Sequence, residues 1–124
     1  MTGRAALIGL AWLLLGGCRG SRYTLPYGVA MGGDPSAGKQ LVEARHCGAC
    51  HDIDDVTGAA GVIGPPLDHF AARSFIAGRV PNTPANLITW IRSPQSVDPR
   101  TAMPSVGLGD AEARNVAAYL YTLR

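Results

Sequence analysis

A chain of 124 residues has room for one small domain. Its 11 Lys and Arg against 9 Asp and Glu leave a net charge of +2, too weak for a protein that holds nucleic acid by neutralising phosphates. With 47% hydrophobic residues, a charge-driven disordered chain is also excluded. Part of that hydrophobicity lies in the first 15 residues. The 91 residues from Asp34 to Arg124 hold 24 large apolar side chains beside 8 Gly and 8 Pro. A domain so small and so rich in Gly and Pro buries little surface and needs a staple.

The N-terminus has one cation, Arg4, then an 11-residue apolar run from Ala5 to Leu15, then Gly16-Gly17-Cys18. This pattern fits a secretory signal and is too short for a membrane span, which takes about 20 residues. Leu15-Gly16-Gly17-Cys18 resembles a bacterial lipobox, in which the peptide is cut before the cysteine and the thiol carries the lipid. The plainer alternative is an ordinary signal or an uncleaved anchor with a chance Cys. The expected organisation is a signal peptide over residues 1–17, a lipid-anchored flexible tether over 18–33 with Cys18 modified, and a folded domain over 34–124. Arg19 to Gly33 has Gly, Ser and Pro without regular apolar spacing; fully extended, its 15 residues reach about 50 Å.

In the folded part, Asp34-Pro35 reads as an N-cap followed by proline at the first helical position. Ala37, Leu41 and Ala44 follow at helical spacing, and Gly38 allows another helix to approach. From Asp52 to Pro66 no period appears, which predicts a wrapping loop. Thr83-Pro84 starts a second helix with Leu87, Ile88 and Ile91 inward, and Ser93-Pro94 ends it. Asp110 is the expected cap of a last helix whose buried face is Ala113, Val116, Ala117, Leu120 and Leu123. No convincing strand and no internal repeat appears. The expected class is all-α: short helices joined by loops long enough to enclose something.

Residues 47 to 51 read Cys47-Gly48-Ala49-Cys50-His51, the attachment signature of c-type haem. Two thiols three positions apart can each add to a vinyl group on the porphyrin edge, and the next residue brings an imidazole to the iron. A thioredoxin-like pair would need an α/β sheet, and none is visible. A zinc site would need more ligands than the spare His46 and His69. A plain disulfide would leave His51 unexplained.

The chain from 34 to 124 resembles the small single-haem cytochromes c with His/Met ligation. The resemblance is carried by Gly38-Lys39, Cys47 to His51, Gly64-Pro65-Pro66-Leu67, Thr101-Ala102-Met103-Pro104 and Ala118-Tyr119-Leu120. It implies the cytochrome c fold, wrapped around one haem c bonded through Cys47 and Cys50. It also implies that the Pro65 carbonyl accepts the Nδ1 proton of His51, fixing tautomer and ring plane. Met103, 52 positions after His51, is the implied distal ligand, a soft neutral thioether that raises the potential. His69 or water on the sixth site is the alternative, and His46 reads as a helix-end surface residue. Trp90 matches the family position of an aromatic on the Met side, or is a core Trp. Arg73 matches a position where a guanidinium meets a haem propionate, with Arg79 and Asn82 as rivals and Thr101 as a further donor. Gly38, Val42 and Tyr119 read as packing between the first and last helices.

Two axial ligands leave no open position for substrate, so the implied function is electron transfer, not enzymatic. The rival is a haem enzyme or gas sensor with an open distal iron site. The stretch Pro81 to Leu87 with Trp90 to Gln95 is also similar to cytochrome c domains fused to bacterial terminal-oxidase subunits. That implies a respiratory chain, with a terminal oxidase or another respiratory complex as redox partner. The export signal, the lipobox at Cys18 and haem attachment, which in bacteria takes place outside the cytoplasmic membrane, together give the expected place, the periplasmic side of the membrane, held by the lipid anchor. With one lysine, Lys39, no lysine ring surrounds the haem edge, and docking is expected to be weakly electrostatic or apolar. The reading predicts an apolar cleft lined by His51, Pro65, Leu67, Trp90 and Met103.

Overall fold

The computed structural model describes residues 32–124. The expected signal peptide, Cys18 and nearly all of the tether lie outside the described residues.

Helix α1, Pro35–Ala44, starts where the Asp34 carboxylate accepts the Ser36 N–H at 2.8 Å and the Ala37 N–H at 3.4 Å. Helix α2, Pro84–Arg92, is capped by the Thr83 hydroxyl, which accepts the Asn86 N–H at 3.3 Å. It buries Leu87, Ile88 and Ile91, as their spacing predicts. Ser93-Pro94 does end α2, but Pro94 also opens a further short helix, α3, Pro94–Val97. The proline that cannot continue one helix suits the first position of the next.

Helix α4, Asp110–Leu120, departs from expectation at both ends. Gly109 is the N-cap and Asp110 the first helical residue. The Glu112 carboxylate supplies the capping bond, accepting the Gly109 N–H at 2.9 Å. Leu123 lies past the helix end, where its carbonyl accepts the Ala71 N–H at 3.0 Å. Tyr121, directly after the helix, is buried against Phe70 with ring centroids 5.9 Å apart in an edge-on pair.

Helices α1 and α4 cross in backbone contact. A Cβ on Gly38 would stand 2.0 Å from the Asn115 carbonyl oxygen, so only glycine permits this approach. Asn115 also accepts the Asp34 N–H at 2.8 Å, fixing where the crossing begins. The core lies around α4: Ala113 and Ala117 are fully buried, with Val42 from α1 and Leu87 and Ile91 from α2 packed into the same cluster. Each large aliphatic residue buried there contributes about 1.5–3 kcal/mol.

The segment from Cys50 to His69 is the long loop expected, closed on itself by an Asp52–Ala60 bridge with Ile53 and Val56 tucked inside. Short 3-10 turns occupy Cys47–Ala49 and Phe70–Ala72. A hairpin that the sequence did not reveal follows. Strand β1, Phe75–Ile76, pairs antiparallel with β2, Val80–Pro81. Two residues per strand show no period, and the turn has Ala77 at φ 50° before Gly78 at φ 65°, with the Arg79 N–H on the Ile76 carbonyl at 2.9 Å. The architecture is otherwise helices and loops.

Candidate functional site

One largely apolar cleft of about 400 Å³ runs between the Cys47–His51 turn, the loop after Gly64, helix α2 and the segment from Asp98 to Leu108. His51, Pro65, Leu67, Trp90 and Met103 all line it, as predicted. Cys47, Cys50, Arg73 and Thr101 line it as well. His69 is exposed and does not border it, so the structure does not bring this alternative ligand to the site. His46 stands exposed at the rim in a left-handed conformation, φ 56°.

The turn that carries the two cysteines is held by its own backbone. The Cys50 and His51 N–H groups both donate to the Cys47 carbonyl, at 3.2 and 3.0 Å. The Cys50 carbonyl in turn accepts the Gly64 N–H at 2.8 Å, which lays the following loop over the turn. Cys47 and Cys50 are half-buried and not disulfide-bonded. Burial pushes the Cys47 thiol above its ordinary range, keeping it a neutral thiol facing an apolar space.

His51 is oriented from behind. Its Nδ1 lies 2.7 Å from the Pro65 carbonyl oxygen. A carbonyl can only accept, so Nδ1 is the donor here and Nε2 is the nitrogen left for a metal. Gly64 makes room for the ring, since a Cβ there would stand 2.4 Å from His51 Cε1. The loop bearing Pro65 is braced by Arg73, whose Nη2 donates to the Pro66 carbonyl and, at 3.2 Å, to the Asp68 carbonyl. The Arg73 guanidinium also lies over the Phe70 ring, 5.6 Å from its centroid. Its rivals are engaged elsewhere. Arg79 pairs with Asp98 at 3.0 Å. The Asn82 amide donates to the Phe70 and Arg73 carbonyls at 3.1 and 3.0 Å, and its oxygen accepts from the Tyr121 hydroxyl at 2.8 Å.

Met103 lies on an irregular segment. Its N–H donates to the Thr101 hydroxyl at 3.2 Å, and its carbonyl accepts from the Gln95 amide at 2.8 Å. Trp90 is half-buried on α2 and packs against the core. Tyr119 packs at the α1–α4 crossing as expected, and its hydroxyl also donates to Asp55, tying the long loop to α4. Burial and that carboxylate hold the phenol protonated well above its ordinary value.

Sequence reasoning missed two charged residues on the cleft, Arg45 and Asp98. Arg45, the cap residue of α1, donates to the Val106 carbonyl at 3.2 Å and to Glu112 at 3.3 Å. Asp98 accepts the Arg100 N–H at 3.1 Å, and this bond and Arg79 hold its carboxyl below the usual range. Three exposed apolar side chains, Val62 at 92%, Ile63 at 74% and Phe75 at 58%, also went unnoticed, although the run Val62-Ile63 between two glycines was a visible signal.

The donor set fits a haem. Two unpaired thiols on one turn, an imidazole whose Nε2 is left by the Pro65 contact, a thioether from a separate segment and apolar walls suit a flat apolar macrocycle with iron. Among the described residues no three His, Cys, Asp or Glu side chains cluster as a zinc site.

The comparisons point the same way. Residues 35–124 match the family described as Cytochrome c. The chain is similar to cytochrome c oxidase subunit 2 of Alkalihalophilus pseudofirmus, 34% identical over 88 residues, which is 70% of this chain and 25% of that relative. It thus spans a quarter of the relative's length. The chain belongs to the cytochrome c family, whose cofactor is a covalently bound haem c, and it presents Cys47 and Cys50 for the attachment.

Proposed function

We propose that this protein is a lipid-anchored electron carrier on the periplasmic side of a bacterial membrane, delivering electrons one at a time to a terminal oxidase. Electron transfer is the work of the family. The oxidase as acceptor is supported by the likeness to the oxidase subunit, and the membrane address by Arg4, the apolar run and Cys18.

The haem, when bound, supplies a one-electron ferrous–ferric couple. Everything else is done by the chain. Cys47 and Cys50 would hold the haem through thioethers, each S–H adding across one vinyl group so that its hydrogen ends on carbon. His51 would present Nε2 to the iron, since Nδ1 is engaged by the Pro65 carbonyl. Met103, from a separate segment of the cleft wall, would present its sulfur. The walls, Leu67 and Trp90 among them, keep water away and favour the less charged ferrous state. Thr101 accepts the Met103 N–H, Trp90 lines the same cleft, and Arg73 holds the loop that carries Pro65. A haem held by Cys47 and Cys50 would exchange electrons at the edge beside them, and Ile63, which lines the cleft, with exposed Val62 next to it would offer an apolar surface for brief encounters.

The observation that carries this reading is the Cys47–His51 turn with His51 oriented by Pro65 into a cleft that Met103 also lines. Its test is the mass and spectrum of protein made with the haem maturation machinery. The expected protein is one haem heavier than the peptide, low-spin in both oxidation states, and slow to take up CO when reduced. A high-spin spectrum with rapid CO uptake would instead establish an open iron site. The anchor has its own test: Cys18→Ser should move the protein from the membrane to the soluble fraction, and unchanged membrane association would overturn it.

A further inference from the structure

The segment that carries Met103 has no regular structure from Pro99 to Gly109. Its shape comes from one backbone turn and from side-chain bonds to the elements around it. At its start, the Thr101 N–H donates to the Asp98 carbonyl at 3.0 Å. Further on, the Ser105 hydroxyl donates to the Arg92 carbonyl at 2.9 Å, and Arg45 reaches the Val106 carbonyl. Met103 itself has two bonds among the described residues. One, from its N–H to the Thr101 hydroxyl, is internal to the segment. The other, from the Gln95 amide to its carbonyl at 2.8 Å, is its hydrogen bond to another element.

Gln95 is well placed to hold still. It follows Pro94, which is fully buried and starts α3, and α3 is closed by the Asp98 N–H on the Pro94 carbonyl at 3.0 Å. The side chain is otherwise exposed, so no packing requirement accounts for a glutamine here. On the far side of Met103, Pro104 has no N–H and cannot help fasten the chain.

We propose that Gln95 is a positioning residue for Met103: its amide latches the Met103 carbonyl to α3 and so sets how readily the methionine sulfur leaves the iron. This rests on the reading of Met103 as the second iron ligand. A carbonyl held at a fixed place restricts the backbone from which the side chain reaches. Without the latch, the segment between Thr101 and Ser105 gains freedom, and the detached state of Met103 gains weight.

The test is the rate of CO uptake by the reduced holoprotein, which waits on departure of the native ligand. Gln95→Leu keeps the approximate volume and removes the donor; Gln95→Lys restores a donor of similar reach. Gln95→Leu should take up CO roughly three- to ten-fold faster than the parent, the effect of one modest hydrogen bond. It should also lose its methionine–iron charge-transfer band at lower pH in the oxidised form, with haem content unchanged. Gln95→Lys should fall near the parent. Met103→Ala sets the fast limit. If Met103→Ala is fast and Gln95→Leu matches the parent, Gln95 does not position the ligand. If Met103→Ala is no faster than the parent, Met103 is not the ligand and both readings fall.

Discussion

At the scale of single residues, the site depends on a few atoms whose chemistry leaves no choice. Pro65 offers only an acceptor, so the His51 proton must sit on Nδ1. Gly64 must lack a Cβ, because one would overlap the His51 ring. Gly64→Ala should therefore lower the yield of haem-loaded protein and shift the reduction potential of the fraction that loads. Full yield with an unchanged potential would mean that the ring has room to spare. Glu112 gives a prediction of a different kind. The Gly109 N–H, and then Arg45, hold its carboxyl below the ordinary range. Its folded value lies under its unfolded value, so its contribution to stability is present above about pH 4.3 and is lost as pH falls through the depressed folded value. Glu112→Gln should lower the melting temperature at neutral pH and converge with the parent in acid, which flattens the acid side of the profile. Cys47, Cys50 and His51 were legible because the spacing of a covalent motif is local in sequence, whereas Pro65, 14 positions on, was legible only through the family resemblance. Gln95 and Arg45 were not, since they act on carbonyls and a carboxylate up to 67 positions away, and neither was Asp98, whose carboxylate accepts from Arg79 nineteen positions before it.

At the scale of elements, caps and crossings decide the geometry. The Asp34-Pro35 and Thr83-Pro84 starts were readable because a side-chain acceptor beside a proline has one physical use. Asp110 was misplaced by one residue, since the capping oxygen comes from Glu112, three positions into the turn. The hairpin was invisible: two residues per strand offer no alternation, and Ala77 disguises a turn that prefers Gly or Asn. Ala77→Gly should relieve that left-handed strain and raise stability by about 1 kcal/mol in denaturant unfolding of the holoprotein; a loss of stability would mean that the alanine methyl packs usefully. Gly38→Ala tests the opposite case. Its Cβ would meet the Asn115 carbonyl, so the α1–α4 crossing must open, at a cost of about 1–3 kcal/mol or more. An unchanged midpoint of unfolding would show that the helices can slide apart freely.

At the scale of the whole molecule, 24 large apolar residues among 91 are few for a stable domain, and many of them face the cleft instead of one another. Leu67, Phe70, Ile76, Leu87 and Ile91 belong to the core and also line the cleft, so the core is complete only when a flat apolar body lies between its halves. Haem-free protein is expected to show weak helical circular dichroism and a broad thermal transition, with both sharpened by haem attachment. Native-like helicity and a sharp transition without haem would mean that the helices around α4 suffice alone. The near-neutral charge and the exposed Val62 and Ile63 imply encounters little affected by salt, whatever the partner.

The central claim is a one-electron carrier whose iron is held between His51 and Met103. An optically followed redox titration of the parent protein and Met103→Ala addresses it most directly. The parent should show a single reversible one-electron transition, low-spin at both ends, and Met103→Ala should keep its covalent haem while its potential falls. A potential unchanged by the substitution, or a parent that is high-spin in either state, would contradict it.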